Sequence, residues 1–482
     1  MTRVFRSNCE TIVAIRPRSL ILRELSTRLS LKMTEPPTTP GSVLLRFSAQ
    51  NVRSFRDDFE LSLLATKLAD DRVKRRVRWR EGAKVDVLPS AGIFGANASG
   101  KSNVLRAMSD MQQMVLHSFR RGSPTGGLPQ RPFLLDSFSR ERGSRFEIEL
   151  ILHGVRHQYG FELDGHEVIE EWALNYPRGR PASVFHRERE EVSLGTSVRV
   201  KGRAVLDLLR PNALFLSTAA AANHPTLLPL YAWFQRNLLL AEARSREVRQ
   251  ALTTTMFDDP TMRKKVLRLL RAADLGISNA EKHEIDEAMR ERLERAVGIL
   301  LGDEDADAVA TAANIDAFGI GLVHQGSDGP VEFSPDDESL GTLVWFGLVG
   351  PVIQALVDGA VLLADELDAS LHPALVKELV RLFQDPHSNP LRAQLIFNSH
   401  DTTLLGTSVG DRPLGRDQIW FTEKHEDGAT RLYPLSDLDP RRDEAIEKRY
   451  LAGRYGGVPV LARTQFDTVE DQATAFNGDG CR

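Results

Sequence analysis

Eight consecutive residues, Gly95-Ala96-Asn97-Ala98-Ser99-Gly100-Lys101-Ser102, have the spacing of a phosphate-binding loop, G-x4-G-K-S. The glycines of such a loop let backbone N–H groups curl around a β-phosphate. Lys101 then faces the β/γ oxygens and Ser102 offers an oxygen to Mg²⁺. The helical pattern that follows sets a helix N-terminus behind the anion. A second group, Val361-Leu362-Leu363-Ala364-Asp365-Glu366, is an apolar run that ends in two carboxylates. Asp365 suits the Mg²⁺ shell, and Glu366 suits the polarising of an attacking water. Such a pair is often only a solvated turn; its place after a phosphate loop is what gives it chemistry.

Two further features complete the constellation. Glu338-Ser339-Leu340-Gly341-Thr342 opens a helical stretch, with Ser339 lying 26 residues before Asp365. His400, in Phe397-Asn398-Ser399-His400-Asp401, ends the next apolar run, 35 residues after Asp365.

The elements that position these groups are legible as patterns. VLLRFSAQNVRSF and FELSLLA read as two strands around a turn at Arg56-Asp57-Asp58, and residues 146–165 alternate like a hairpin. Strand-like material continues to about Leu216. From 225 to 300 the period turns helical, as in KKVLRLLRAADLGI and EKHEIDEAMRERLERAVGILL. A hairpin pattern, FGIGLVHQGSDGPVEF, leads into the Ser339 region. The apolar stretch from Leu343 to Ala364 parses as a buried helix, a Gly turn and a core strand rather than a membrane span. The phosphate loop and Asp365–Glu366 are expected at the ends of adjacent core strands.

This order of motifs resembles the head of ATP-binding-cassette (ABC) ATPases. NVRSF, GANASGKSNVL, RPFLLD, RPNALFLS, ESLGT, ADELDASLHP, QLIFNSHDTTLL, RDQIWFTEK and KRYLAGRYGGVP resemble one bacterial group. These are the OLD-like ATPases related to SMC and RecF heads, found in anti-phage defence operons of AbiL-like and PARIS type. The resemblance runs from Val43 to Pro459. It implies an α/β, ABC-ATPase-head-like P-loop NTPase with an antiparallel β lobe and an inserted helical subdomain. It also implies ATP and Mg²⁺ as ligands, with Glu366 and His400 in catalysis.

In that family two heads sandwich two ATP molecules. Ser339 and Gly341 would contact a γ-phosphate held by Lys101 of the partner subunit, and Asn97 and His400 would sense the phosphate in cis. A homodimer or higher homo-oligomer and a separate effector, often a TOPRIM-type nuclease, are implied as partners. There are departures. Gln130 and Gln158 are the nearby glutamines after the loop helix, and neither sits in a Q-loop context. The signature lacks the Gly-Gly-Gln of transporters. Arg53 and Phe55 are adenine candidates by resemblance alone.

The resulting organisation has five parts. Residues 1–42 form a disordered or mis-started extension, with seven basic residues against two acids in the first 32 and Met33 as the expected natural start. Residues 43–220 form the N-terminal ATPase lobe and 221–315 the helical insertion. Residues 316–460 form the C-terminal lobe, and 461–482 a flexible tail.

With 482 residues, 41% hydrophobic and 27% charged, the chain is globular and large enough for several folding units. A formal net charge of −4 gives no global case for nucleic-acid binding, so a DNA surface has to be local. The run 72–84 is that local candidate: it carries seven basic residues, and Trp79 is available for stacking. Two cysteines, Cys9 and Cys481, exclude a disulfide scaffold and fit a reducing cytoplasm. His372 reads as a turn residue after Asp365 rather than a metal ligand. Only 82 residues follow His400, too few for an appended nuclease domain. The alternative to a defence switch is a RecF/SMC-like repair ATPase acting directly on DNA, which salt-sensitive DNA binding distinguishes.

Overall fold

A computed structural model describes residues 41–70, 73–79, 83–120, 122–242, 246–273, 275–284, 318–406 and 412–458. The extension before residue 41, the tail from 461, Arg72, Arg80 and residues 285–317 lie outside the described residues.

The centre is a six-stranded sheet in the order Leu238–Ala241, Val361–Ala364, Gln394–Asn398, Ser90–Gly95, Ile419–Lys424, Thr430–Pro434. The first five strands run parallel, and the last is antiparallel to its neighbour. Every residue of the three central strands is buried, as expected of parallel strands covered on both faces. Gly95, Asp365 and His400 all follow from the carboxyl ends of these strands, where open parallel sheets place their ligands.

One expectation is corrected. The phosphate-loop strand and the Asp365 strand are not adjacent, because Gln394–Asn398 lies between them and pairs with both. The interposed strand ends in Asn398, and that side chain joins the two flanking motifs.

A seven-stranded antiparallel sheet forms the second lobe, in the order Glu191–Leu194, Ala182–Glu188, Val168–Asn175, Val155–Leu163, Ser144–Leu152, Val43–Gln50, Phe59–Ser62. The first strand pair and the hairpin near 146–165 form as their alternation predicts. Gln394, 2% exposed, ties the sheets together. Its amide accepts from Leu44 N at 2.7 Å and donates to Leu44 O at 3.0 Å and Leu88 O at 3.2 Å. Phe47 of the antiparallel lobe and Ile93, Val104 and Leu363 around the loop belong to one apolar core.

The strand-like pattern toward Leu216 is instead closed by two helices, Arg199–Leu206 and Phe215–Ala221. The second starts where the fully buried Glu171 accepts from Phe215 N at 2.5 Å and Leu216 N at 3.0 Å. Arg187, 1% exposed, lies 3.8 Å from Glu171 and donates to Ala213 O at 2.6 Å.

The described residues between 221 and 284 are not helical throughout, contrary to what their period suggests. They contain the helices Leu228–Arg236, Arg246–Thr255 and Pro260–Ala272, but also the strand Leu238–Ala241 at the edge of the central sheet. Within the expected helix beginning at Glu281, residues 281–284 belong to the strand Ile277–Glu284, paired antiparallel with Phe318–Gly326. Ladder pairing with a neighbour overrides the helix propensity of Ala, Glu and Lys. By contrast, Leu340–Asp358 is a helix, Gly359 turns it at φ 64°, and Val361–Ala364 is a strand, as read from the sequence. This helix is long and apolar enough to cross a membrane, yet residues 345–353 are all buried within the protein.

Removing one member of a buried ion pair leaves the other charge uncompensated. Glu171→Ala should therefore lower the unfolding free energy by about 3–5 kcal/mol, whereas the exposed Glu378–Arg381 pair should contribute under about 1 kcal/mol. Chemical denaturation of both alanine variants measures the contrast.

Candidate functional site

The phosphate loop joins the strand Ser90–Gly95 to the helix Lys101–His117. Two glycines are sterically required. A Cβ on Gly95 would lie 2.5 Å from Thr422 O, and one on Gly100 would lie 2.4 Å from Thr430 Oγ1. Gly100 also has φ 103°, a conformation that side chains rarely adopt. The loop is tied down by hydroxyls from the neighbouring strands. Ser99 Oγ and Thr422 Oγ1 are 2.6 Å apart, and Thr430 Oγ1 donates to Ser99 O at 3.0 Å. Ser54 accepts from Asn103 at 2.8 Å.

Lys101 is 6% exposed and donates to Gly95 O at 2.8 Å and Ala96 O at 2.9 Å. Burial pushes its pKa down to about 8, against the opposing pull of Asp368, Glu366 and Asp365. Asn97 is exposed at the tip of the loop, and Ala98 takes φ 59°.

Asn398, 1% exposed, connects the motifs. Its amide nitrogen donates to Ser102 Oγ at 3.2 Å and to Asp365 Oδ1 at 2.5 Å, and its oxygen accepts from Glu366 N. The other Asp365 oxygen lies 3.4 Å from Arg106 Nη2, and Arg106 Nε lies 3.5 Å from Glu242. Glu366 takes φ 55°, held there by the Asn398 contact, and its side chain is exposed.

His400 is exposed beside this group. Its backbone N–H donates to both Asp368 oxygens, at 3.1 and 3.3 Å. Desolvation and the nearby Lys101 charge lower its pKa, against Asp368 and Glu366. The neutral imidazole is therefore favoured. The structure thus brings together Gly95, Ala96, Asn97, Ala98, Ser99, Gly100, Lys101, Ser102, Asp365, Glu366 and His400.

Ser339 and Gly341 lie outside this hydrogen-bonded group. Ser339 caps the helix Leu340–Asp358, accepting from Thr342 N at 3.1 Å, and is exposed. Gly341 lies against the turn after Glu366, where a Cβ would be 2.8 Å from Ser370 O. Among the described residues, no hydrogen bond joins either to the phosphate loop.

Other candidates resolve differently. Phe55 is fully buried, its ring centroid 4.0 Å from that of Phe59, so it has no face to offer an adenine. Arg53 is held by Asp110 of the loop helix at 2.6 and 2.7 Å. Gln130 donates to Arg142 O at 2.8 Å, and Gln158 accepts from Tyr176 at 2.8 Å, both within the antiparallel lobe. His372 caps the helix Pro373–Gln384, accepting from Ala374 N at 3.2 Å. In the basic run, Val77 is buried and Trp79 packs beside it with Arg156 over its ring, while Arg76 pairs with Asp86 at 2.8 Å. Trp79 is therefore a packing residue rather than an open stacking platform.

Sequence reasoning missed Asn398, Arg106, Asp368, Thr422 and Thr430. Asn398 had a signal, a polar residue ending an apolar run two positions before His400. The others are recognisable only from their contacts.

The donors fit a nucleotide with a divalent cation. Gly95 and Gly100 let the loop backbone pack close against Thr422 and Thr430, and Ser102 and Asp365 are hard oxygen donors bonded to one amide.

A family model described as "AAA domain, putative AbiEii toxin, Type IV TA system" matches residues 90–406. No curated protein matches the chain. Among solved structures, the SMC head domain from Thermotoga maritima is 13% identical, with 81% of this chain and 98% of that chain covered at a TM-score of 0.32. The Smc head with an extended coiled coil bound to the C-terminal domain of ScpA, derived from Pyrococcus furiosus, is 12% identical, covering 83% of this chain and 98% of that one at 0.33. The recombination mediator protein RecF in complex with ATPrS is 12% identical, covering 82% and 99% at 0.29.

Phosphate oxygens beside Lys101 favour the ammonium and raise its pKa from about 8. Nucleotide binding at about pH 8.5 should therefore take up protons, and affinity should fall as pH rises above 8. Calorimetry in buffers of different ionisation enthalpy reads the sign; net proton release is the contradicting result.

Proposed function

The chain belongs to the AAA-domain family described as a putative AbiEii toxin of type IV toxin–antitoxin systems, and on that premise we propose that it is an Mg²⁺-dependent ATPase switching between open and head-engaged states. The observation that carries this reading is the Asn398 amide, which joins the Ser102 hydroxyl and the Asp365 carboxylate and also receives the N–H of Glu366. Those contacts bring together the two cation donors and the backbone of the residue whose carboxylate would polarise the water, as ATP hydrolysis needs.

In this reading Lys101 and the loop N–H groups bind the β/γ phosphates, and Ser102 and Asp365 hold Mg²⁺, which neutralises charge between the phosphates. Glu366 accepts a proton from the attacking water, while His400 and Asn97 stand at the γ-phosphate. The exposed Ser339, outside the hydrogen-bonded group of its own loop, supports completion of the site by a second copy. The helix N-terminus that it caps offers N–H groups to an anion. A defence role with a separate effector rests on the motif resemblance, and the genes flanking this one test it. Direct action on DNA has less support, since Trp79 packs against the core and Arg76 is paired.

Lys101→Ala should weaken ATP binding at least about 10²-fold by calorimetry, because it removes the charge opposite the phosphates. Glu366→Gln should slow hydrolysis by about 10²–10⁴ while ATP binding persists, so an ATP-bound dimer accumulates in light scattering. Ser339→Arg should prevent that dimer. Mixing Lys101→Ala with Ser339→Arg should restore one composite site per heterodimer. No recovered ATPase activity, with heterodimers present, counts against a shared site.

A further inference from the structure

Glu366 also lines a cavity of about 250 Å³ bounded by two helices. Leu340 and Val344 of the Ser339-capped helix form one wall, and Arg246, Glu247 and Arg249 of the helix Arg246–Thr255 form another. Arg249 is 6% exposed, and its Nε has no hydrogen-bond partner. Among the described residues its guanidinium makes neither hydrogen bond nor ion pair. A guanidinium buried in that way is costly unless an anion meets it.

Three carboxylates line the same cavity. Glu247 lies 3.3 Å from Arg246, and Asp365 is held by Asn398 and Arg106. The Glu366 carboxylate accepts from nothing among the described residues. Arg249, which feels the charge of Glu247 but bonds to no carboxylate among the described residues, therefore shares one cavity with the unbonded Glu366 carboxylate.

We propose that Arg249 is the ion-pair partner of Glu366, a positioning residue that couples the Ser339-capped helix to the carboxylate that orients the attacking water. The inference rests on the ATPase reading above. Its mechanical basis is the bonding between the two helices. Gln250 donates to Leu343 O at 3.0 Å, Thr253 Oγ1 donates to Phe346 O at 2.9 Å, and Gly350 N donates to Thr253 Oγ1 at 3.0 Å. Gly350 permits the approach, since a Cβ there would lie 2.4 Å from Thr253 Oγ1. These bonds tie the helix that carries Arg249 to the helix that Ser339 caps. A planar guanidinium fork fixes the orientation of a carboxylate, which an ammonium does less well.

The test uses the full chain, with ATP turnover measured beside ATP binding by calorimetry. Arg249→Met, which keeps the volume of the stem, should lower kcat about tenfold or more and change the ATP Kd less than about twofold. Arg249→Lys should recover part of the rate. In a Glu366→Gln background, read by single turnover at high enzyme, Arg249→Met should add no further loss. An unchanged kcat overturns the proposal. So does an equal fold-loss in the Glu366→Gln background, or a parallel loss of ATP affinity, since each marks a structural effect alone. A wild-type chain without ATPase activity sinks the ATPase reading and this inference together, whereas a fully active Glu366→Gln sinks the role given to Glu366 and this inference with it. An active wild type, an inactive Glu366→Gln and an unaffected Arg249→Met sink this inference alone.

Discussion

The phosphate-loop serine, Asp365 and the Glu366 backbone meet at the side-chain amide of Asn398. One buried group donates to the loop serine and to the Asp365 carboxylate, and accepts from the peptide of Glu366. A hydrogen bond to a charged group contributes about 1.5–3 kcal/mol, more than a neutral one, so the Asp365 contact dominates. Its geometric effect matters as much. The amide is rigid and sits at the end of a fully buried strand, so it sets the spacing of the flanking motifs. The left-handed backbone of Glu366 is retained because that amide over-determines it.

The rest of the fold serves to hold that amide and the loop still. Gln394, four residues earlier on the same strand, locks the antiparallel lobe to the central sheet. Thr422 and Thr430 anchor the loop from the other side, and Gly457 lies close enough that its Cβ would stand 3.6 Å from Gly95 Cα. The site is thus braced by three separated stretches of chain. The Ser339-capped helix is braced differently, against the helix Arg246–Thr255 and the turn at Ser370. Phe94 of the loop strand and Trp345 of the capped helix nevertheless lie in one apolar core.

The loop, the acidic strand end, the capped helix and His400 were legible because each is local. A glycine spacing, an apolar run of strand length or a Ser before a helical pattern states its conformation within a few residues. Failures were non-local. Leu238–Ala241 is only four residues, and it becomes a strand because Val361–Ala364 offers it a ladder. Phe55 carries an aromatic face in the sequence, yet the core takes it.

Residue type and order along the chain placed the loop glycines, the acidic strand end and the capping serine on their elements, since each is stated by local chemistry over a short span. Folding in three dimensions decided which groups meet. It interposed the Asn398 strand between the two motifs, packed Trp79 beside Val77, paired Arg76 with Asp86, and set Arg249 and Glu366 in the lining of one cavity. Those outcomes depend on strand order and helix contacts between residues far apart in the chain, whose free energies no local pattern encodes.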